Sequence, residues 1–178
     1  TVLRFGTIYG LSPRMRFDLV VNIMTLNAIR NGKIIINGDG KQRRPFIHVK
    51  DVANAYQTII ESSSEIVGGE IFNVGSEEQN YEINTLAKDI GNAIGGKHVI
   101  EYEGEVDNRS YFASFKKIKD VLDFSPKYNV KDGAKEVSEA LEQNKIEYSK
   151  KTITLEWYKH IIDSYKIVKE LSLKDTIL

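Results

Sequence analysis

The chain has 178 residues, 41% of them hydrophobic and 28% charged, and its 25 Lys and Arg are balanced by 25 Asp and Glu. This is the make-up of an ordinary globular core, without bulk disorder and without the global positive charge of a nucleic-acid or membrane-surface protein. It has no Cys, which excludes disulfide scaffolds, thiolate zinc sites and thiol nucleophiles, and no apolar run approaches the ~20 residues of a membrane helix; the expected address is the cytoplasm.

In chain order, Val2 to Ile8 reads as a buried strand ending at Tyr9-Gly10, and Leu11 to Arg16 as a loop with two cations, Arg14 and Arg16. Asp18 is the expected cap of a helix running through Arg30 and stopping at Asn31-Gly32, with Leu19, Val20, Ile23, Met24 and Leu26 on one stripe. Ile34 to Ile36 is a short strand closed by the turn Asn37-Gly38-Asp39-Gly40. Phe46 to Val49 extends again, and Asp51 is the expected cap of a helix patterned by Val52, Ala55, Tyr56, Ile59 and Ile60.

Ser62 to Gly69 reads as a polar loop and Glu70 to Gly75 as a strand. Asn84 can cap a helix that ends at Gly95-Gly96, ahead of a strand from His98 to Tyr102. Two short helices, about Lys116 to Leu122 and Asp132 to Gln143, flank the break that Pro126 enforces. A long amphipathic helix from about Thr152 to Leu171 comes last. Strands alternating with helices predict an α/β fold whose later part is rich in helix.

No G-x-G-x-x-G is present, so the chain carries no dinucleotide phosphate turn of its own. Gly91, Gly95 and Gly96 read as a helix end. Tyr165 and Lys169 have the spacing of a catalytic pair, but in a Lys-rich amphipathic helix that spacing arises by chance. His48, between Ile47 and Val49, is expected to hydrogen-bond neighbouring backbone, and three scattered His without paired acids give no metal site. Arg44 and Arg109 offer guanidinium forks suited to phosphate oxygens, although each alone could be a solvated surface charge. Arg14 and Arg16 fit the rim of an anion pocket or a plain solvated loop equally well.

Leu3-Arg4-Phe5-Gly6-Thr7-Ile8-Tyr9-Gly10 resembles the strand after the catalytic Tyr and Lys of extended short-chain dehydrogenases/reductases, in particular the NAD-dependent epimerase/dehydratase group that acts on nucleoside-diphosphate sugars. Ser12 to Asn22, Arg44 to Asp51, Phe72 to Gly75, and Asp107 to Tyr111 with Phe115 to Ile118 agree in the same order. The resemblance implies that Arg44 and Arg109 hold the diphosphate and that Asn22 lies near it. It also implies that Ile35 and Asn37 border the base, and that Phe5 and Thr7 lie under the nicotinamide and the sugar. Many members have Asn at Thr7, and Asp at Ser114.

The family's glycine-rich turn, catalytic Ser/Thr and Tyr-x-x-x-Lys have no counterpart here, so no catalytic residue is expected in this chain. The resemblance therefore implies the C-terminal, substrate-binding portion of an extended Rossmann-type enzyme. Residues 1–10 would be the last part of the NAD-binding sheet, 11–150 the nucleotide-sugar region with 46–75 returning to the sheet, and 151–178 a terminal helix and tail. NAD would be bound mainly by a missing N-terminal half, the substrate anchored for hydride transfer at C4, and the full-length enzyme a homodimer. Two alternatives stand beside this: a non-catalytic nucleotide-sugar-binding fragment or regulatory remnant, and a reductase on a non-nucleotide carbonyl.

Overall fold

The computed structural model describes residues 1–173 together with 176 and 177. The first expected strand is two strands, β1 (Val2–Phe5) and β2 (Thr7–Tyr9), separated at Gly6. A Cβ on Gly6 would stand 2.9 Å from the Pro45 carbonyl carbon and oxygen. Only glycine therefore lets this chain cross the β4 (Arg43–His48) backbone at that distance.

The strands on either side of Gly6 take different partners. β1 pairs in parallel with β5 (Ile71–Val74), placing Val2 beside Ile71 and Phe5 beside Val74. β2 pairs in parallel with β4, Thr7 beside Phe46. The other edge of β4 carries a strand that sequence patterning missed, β6 (Asn80–Glu82), antiparallel and with Arg44 opposite Tyr81. Further along, β3 (Lys33–Asn37) and β7 (Val99–Glu103) form a separate parallel pair.

Helices lie on both sides of β4, because a strand's side chains alternate between faces. Phe46 faces a core shared with Tyr9, Met24 and Val21 of α1 (Val20–Asn31), Leu86 and Ile90 of α4 (Ile83–Ile94), and Val130 and Ala134 of α6 (Val130–Glu142). Ile47 faces a second core with Ala55 of α2 (Val49–Glu61), Phe72, Val74, and Ile118 of α5 (Lys116–Leu122). The one-turn helix α3 (Ser64–Val67) interrupts the expected polar loop and buries Val67 in that second core. With parallel pairs and helices covering both faces, the architecture is the predicted α/β one.

Helix ends are where the sequence expectations needed correction. Asp18 does not cap α1: Leu19 occupies that position without a side-chain hydrogen bond, and Asp18 instead pairs with Arg16 at 2.9 Å. Asp51 lies inside the first turn of α2, whose cap is His48, with Nδ1 accepting from the Lys50 amide. Its own carboxylate turns away to accept the amides of Lys127 and Tyr128 at 2.9 and 3.0 Å. Asn84 is also not a cap. Its side chain donates to the Asp39 carbonyl, and Glu82 stands at the α4 cap position. For α6, Asn129 and Asp132 form a reciprocal capping box, which starts the helix two residues earlier than expected.

The terminal helix α7 (Thr154–Leu171) has the predicted extent but buries no residue, and Tyr165 is two-thirds exposed. Two-residue strands β8 (Ser172–Leu173) and β9 (Thr176–Ile177) follow it. The expected tail lies partly outside the described residues. Among the described residues no helix is long and apolar enough to cross a membrane, and no group of three or more His, Asp or Glu could hold a metal ion.

Candidate functional site

A cleft of about 560 Å³ opens where β2, β3 and β4 meet the start of α1 and the irregular segment that follows β7. Thr7, Ile35, Asn37, Arg44 and Arg109, all singled out from the sequence, line it. Leu19, Val20, Ile23 and Met24 form an apolar wall along α1, and Asp18, Gln42, Asp107 and Tyr111 add polar and aromatic groups. One end of the cleft is thus apolar enough for a flat ring or sugar face and the other is cationic, the division expected of a small-molecule site.

Register places Arg44 at the cationic end. It occupies the second position of β4, opposite Tyr81 of β6, so strand pairing fixes its backbone. Its Nη1 donates to the carbonyls of Arg43 and Arg109, and its Nη2 donates to an Asp107 carboxylate oxygen at 3.0 Å. The Arg44 guanidinium also lies 5.0 Å from the Tyr111 ring centroid, a cation–π arrangement. A side chain held in four ways is pre-organised for a ligand, because little rotamer freedom remains to be lost on binding.

Arg109 reaches the same carboxylate. Its Nε lies 2.9 Å and its Nη2 3.1 Å from the two Asp107 oxygens, and its backbone amide donates to the first of them. Hydrogen bonds from Arg109, with the Arg109 and Arg44 charges nearby, hold the Asp107 carboxyl down to about 2, so it is ionised throughout the physiological range. The same pairing raises Arg109 above the ordinary arginine value. Two guanidinium groups 65 positions apart in sequence therefore share one counter-ion and keep a net positive charge.

The remaining sequence candidates fall elsewhere. Asn22 is buried away from the cleft surface: its Oδ1 accepts from the Gly10 amide at 3.2 Å and its Nδ2 donates to the Arg16 carbonyl at 3.0 Å. It is a clasp between the end of β2 and α1. Phe5 packs in the second core against Tyr56, 5.5 Å between ring centroids, and does not line the cleft. Arg14 is exposed and Arg16 is occupied by Asp18, and neither lines the cleft. Asp107, Gln42 and Asp18 are lining residues that sequence reasoning passed over. The spacing of an acid two residues before Arg109 was the available signal for the first.

A second cavity, about 460 Å³, lies beside Gly75 and α5. It sets two cations, Lys116 and Lys119, against three carboxylates, Glu77, Glu78 and Asp120, so its lining does not favour an anion.

Comparison with known proteins bears on this cleft. Residues 1–75 match the NAD dependent epimerase/dehydratase family. The chain is 30% identical over 149 residues to the UDP-N-acetyl-alpha-D-glucosaminuronate decarboxylase of Bacillus cytotoxicus, covering 76% of this chain and 44% of the relative. It is 30% identical over 137 residues to the UDP-glucuronate 4-epimerase of Thermodesulfobacterium geofontis, covering 76% and 41%. Among solved structures, the UDP-glucuronic acid 4-epimerase of Bacillus cereus, in complex with UDP-glucuronic acid and NAD, superposes with a TM-score of 0.68 at 25% identity, over 81% of this chain and 45% of that one.

The chain spans less than half the length of these relatives. Its homologues include nucleotide-sugar epimerases and decarboxylases, and its fold is that of the solved epimerases and dehydratases.

Proposed function

We propose that this chain is the nucleotide-sugar-anchoring part of an NAD-dependent epimerase/dehydratase, holding a nucleoside-diphosphate sugar for oxidation at C4. The observation that carries the reading is the convergence of Arg44 and Arg109 on one carboxylate at the cationic end of a cleft with an apolar wall. A diphosphate needs that arrangement, since a guanidinium fork meets two phosphate oxygens at once. The nucleotide part of the ligand is remote from the reacting carbon, so energy from binding it goes into orienting the sugar.

The residues of this chain do not fit NAD by themselves. No glycine-rich turn opens any of its helices, and the one candidate Tyr–Lys pair lies on α7, none of whose residues lines the cleft. The role assigned to the chain is therefore anchoring, with the cofactor and the proton-transfer group held by polypeptide outside these 178 residues. The exposed side chains of Val2 on β1 and of Tyr56, which packs on Phe5 of the same strand, together with the pairing of β1 to β5 alone among the described residues, support a further covering layer there.

Calorimetric titration with UDP and UDP-glucuronic acid tests the reading. Saturable binding that Arg44→Ala abolishes or weakens by at least about tenfold, the order expected when a charge-assisted pair is removed, supports it. Equal binding by the wild type and by Arg44→Ala refutes it, and a complete lack of nucleotide binding favours the reductase on a non-nucleotide carbonyl.

A further inference from the structure

We infer that Asp107 is a built-in competitor for the phosphate position, its carboxylate occupying the place between Arg44 and Arg109 that the ligand's diphosphate takes on binding. The inference rests on the nucleotide-anchoring reading of the cleft. Its basis is the use of donors. The Nε–Nη2 edge of Arg109 is engaged by the two Asp107 oxygens, and Arg44 Nη2 donates to the second of them. Arg44 Nη1 is taken up by two backbone carbonyls.

A phosphate that bridged the Nε–Nη2 edge of Arg109 and the Nη2 of Arg44 would require these same N–H groups, because a carboxylate and a phosphate present two oxygens to a guanidinium in the same parallel fashion. Asp107 and the ligand cannot both have them.

The exchange is structurally inexpensive. Asp107 and Arg109 lie two residues apart in the segment between β7 and α5, which contains no helix or strand and begins at Gly104, with a φ of 71°. The Arg109 side chain is 85% exposed, so its ion pair with Asp107 is weakened by solvent. Arg44, 17% exposed and fixed in a strand, stays where it is. Rotation of the Asp107 side chain, with the segment still tied to Arg43 through Ser110 and Tyr111, can thus release its carboxylate while Arg44 remains as the fixed half of the clamp. With the cleft empty, Asp107 neutralises part of the repulsion between two nearby cations. With ligand present, its departure subtracts from affinity, which aids release of a nucleotide product.

The experiment is UDP titration by calorimetry on the 178-residue chain, as wild type, Asp107→Asn, Asp107→Ala, Arg109→Ala and the Asp107→Asn/Arg109→Ala double variant, with folding checked by circular dichroism. The expected result is UDP binding about tenfold tighter in Asp107→Asn and Asp107→Ala, a gain that shrinks when Arg109 is also removed, as coupling through shared donors requires. Unchanged or weaker UDP binding in both Asp107 variants, with wild-type binding intact and Arg44-dependent, overturns the competitor role and leaves the anchoring reading standing. Loss of all UDP binding in folded wild type overturns both.

Should the Asp107 variants fail to fold, the Arg109 Nε–H resonance of the wild type decides. It is expected to shift on UDP saturation, and an unmoved resonance at saturation overturns the proposal.

Discussion

The Nε2 of His48, on a buried ring in β4, lies 2.9 Å from the Glu136 carboxylate on α6, joining residues 88 positions apart. The ring stacks on Tyr128 at 4.8 Å and meets Tyr9 edge-on at 5.3 Å. Its Nδ1 accepts from the Lys50 amide, so the neutral ring carries its proton on Nε2 and donates it to Glu136. Burial pushes the His48 pKa below the usual 6.5, and the Glu136 hydrogen bond offsets this only in part. For Glu136, burial opposes ionisation, but hydrogen bonds from Lys50 and His48 outweigh it and leave the carboxyl below its ordinary range.

A pH dependence follows from the sign of the His48 shift. With the folded pKa depressed, the unfolded chain takes up the proton first as pH falls, so the folded state is favoured above about 6.5 and loses stability below it. Protonation would also turn Nδ1 into a donor facing the Lys50 amide. Thermal unfolding followed by circular dichroism should give a lower Tm at pH 5.5 than at pH 7.5. His48→Gln should melt lower at pH 7.5 but with a flatter pH dependence; an equally steep slope in that variant would assign the effect to other groups.

Asp51 is fully buried, and its two oxygens accept the Lys127 and Tyr128 amides, fixing the stretch after Pro126 against the first turn of α2. Asp51→Asn places an amide N–H where an acceptor is needed and should cost about 2–3 kcal/mol in urea unfolding, the range for charge-assisted bonds lost in a buried setting. A change below about 0.5 kcal/mol would show that this tether contributes little.

Gly133, in the first turn of α6, faces the Tyr9 ring, and a Cβ there would stand 2.6 Å from two ring carbons. The ring has no room to withdraw, since Tyr9 is 1% exposed and its hydroxyl donates to Gln79 at 2.7 Å. Gly133→Ala should therefore destabilise by about 1–3 kcal/mol despite alanine's better helix propensity. Denaturant titration reads the sign directly.

The two arginines of the cleft should not be equivalent. Arg44 is held by strand register, two carbonyls, Asp107 and Tyr111, whereas Arg109 is largely solvated. Arg44→Ala is expected to weaken UDP binding roughly 30-fold or more, against about 3- to 10-fold for Arg109→Ala, because exposed charge pairs contribute least. Arg44→Lys should recover little, as it restores the charge without the fork. Calorimetric Kd values for the three variants check the order.

The helix α7 buries none of its residues and leaves Leu155, Tyr158, Ile162 and Tyr165 exposed. Ending the chain after Ile153 should lower unfolding stability by less than about 1 kcal/mol, since burial is what a helix contributes to a core. Sedimentation should show less self-association in the shortened chain than in the full one, the consequence of removing an exposed apolar stripe. A large loss of stability would place α7 in the cooperative fold.

Element types were largely legible because hydrophobic periodicity reports them locally. The stripes of α1, α2 and α4 and the apolar runs of β3 and β5 lie where the pattern puts them. N-caps were not legible, because capping groups have competing partners: Asp18, Asp51 and Asn84 each have a side chain drawn to a partner outside the helix turn it was expected to close, Arg16, the Lys127–Tyr128 amides and the Asp39 carbonyl, while the Asn129 cap of α6 lies before the expected start of its helix. β6 escaped notice because three residues carry no readable alternation, and β4 decides its pairing.

From sequence came the alternation of strand and helix, the missing dinucleotide turn, and the residue types suited to phosphate at Arg44 and Arg109, all properties of composition, spacing and side-chain chemistry. Tertiary structure alone brought those two arginines to one carboxylate at one cleft. It also withdrew Asn22 into a backbone clasp and Phe5 into a core. The physical reason is that convergence of groups 65 positions apart depends on strand register and on the path of a loop, and both are fixed by long-range packing that no local pattern encodes.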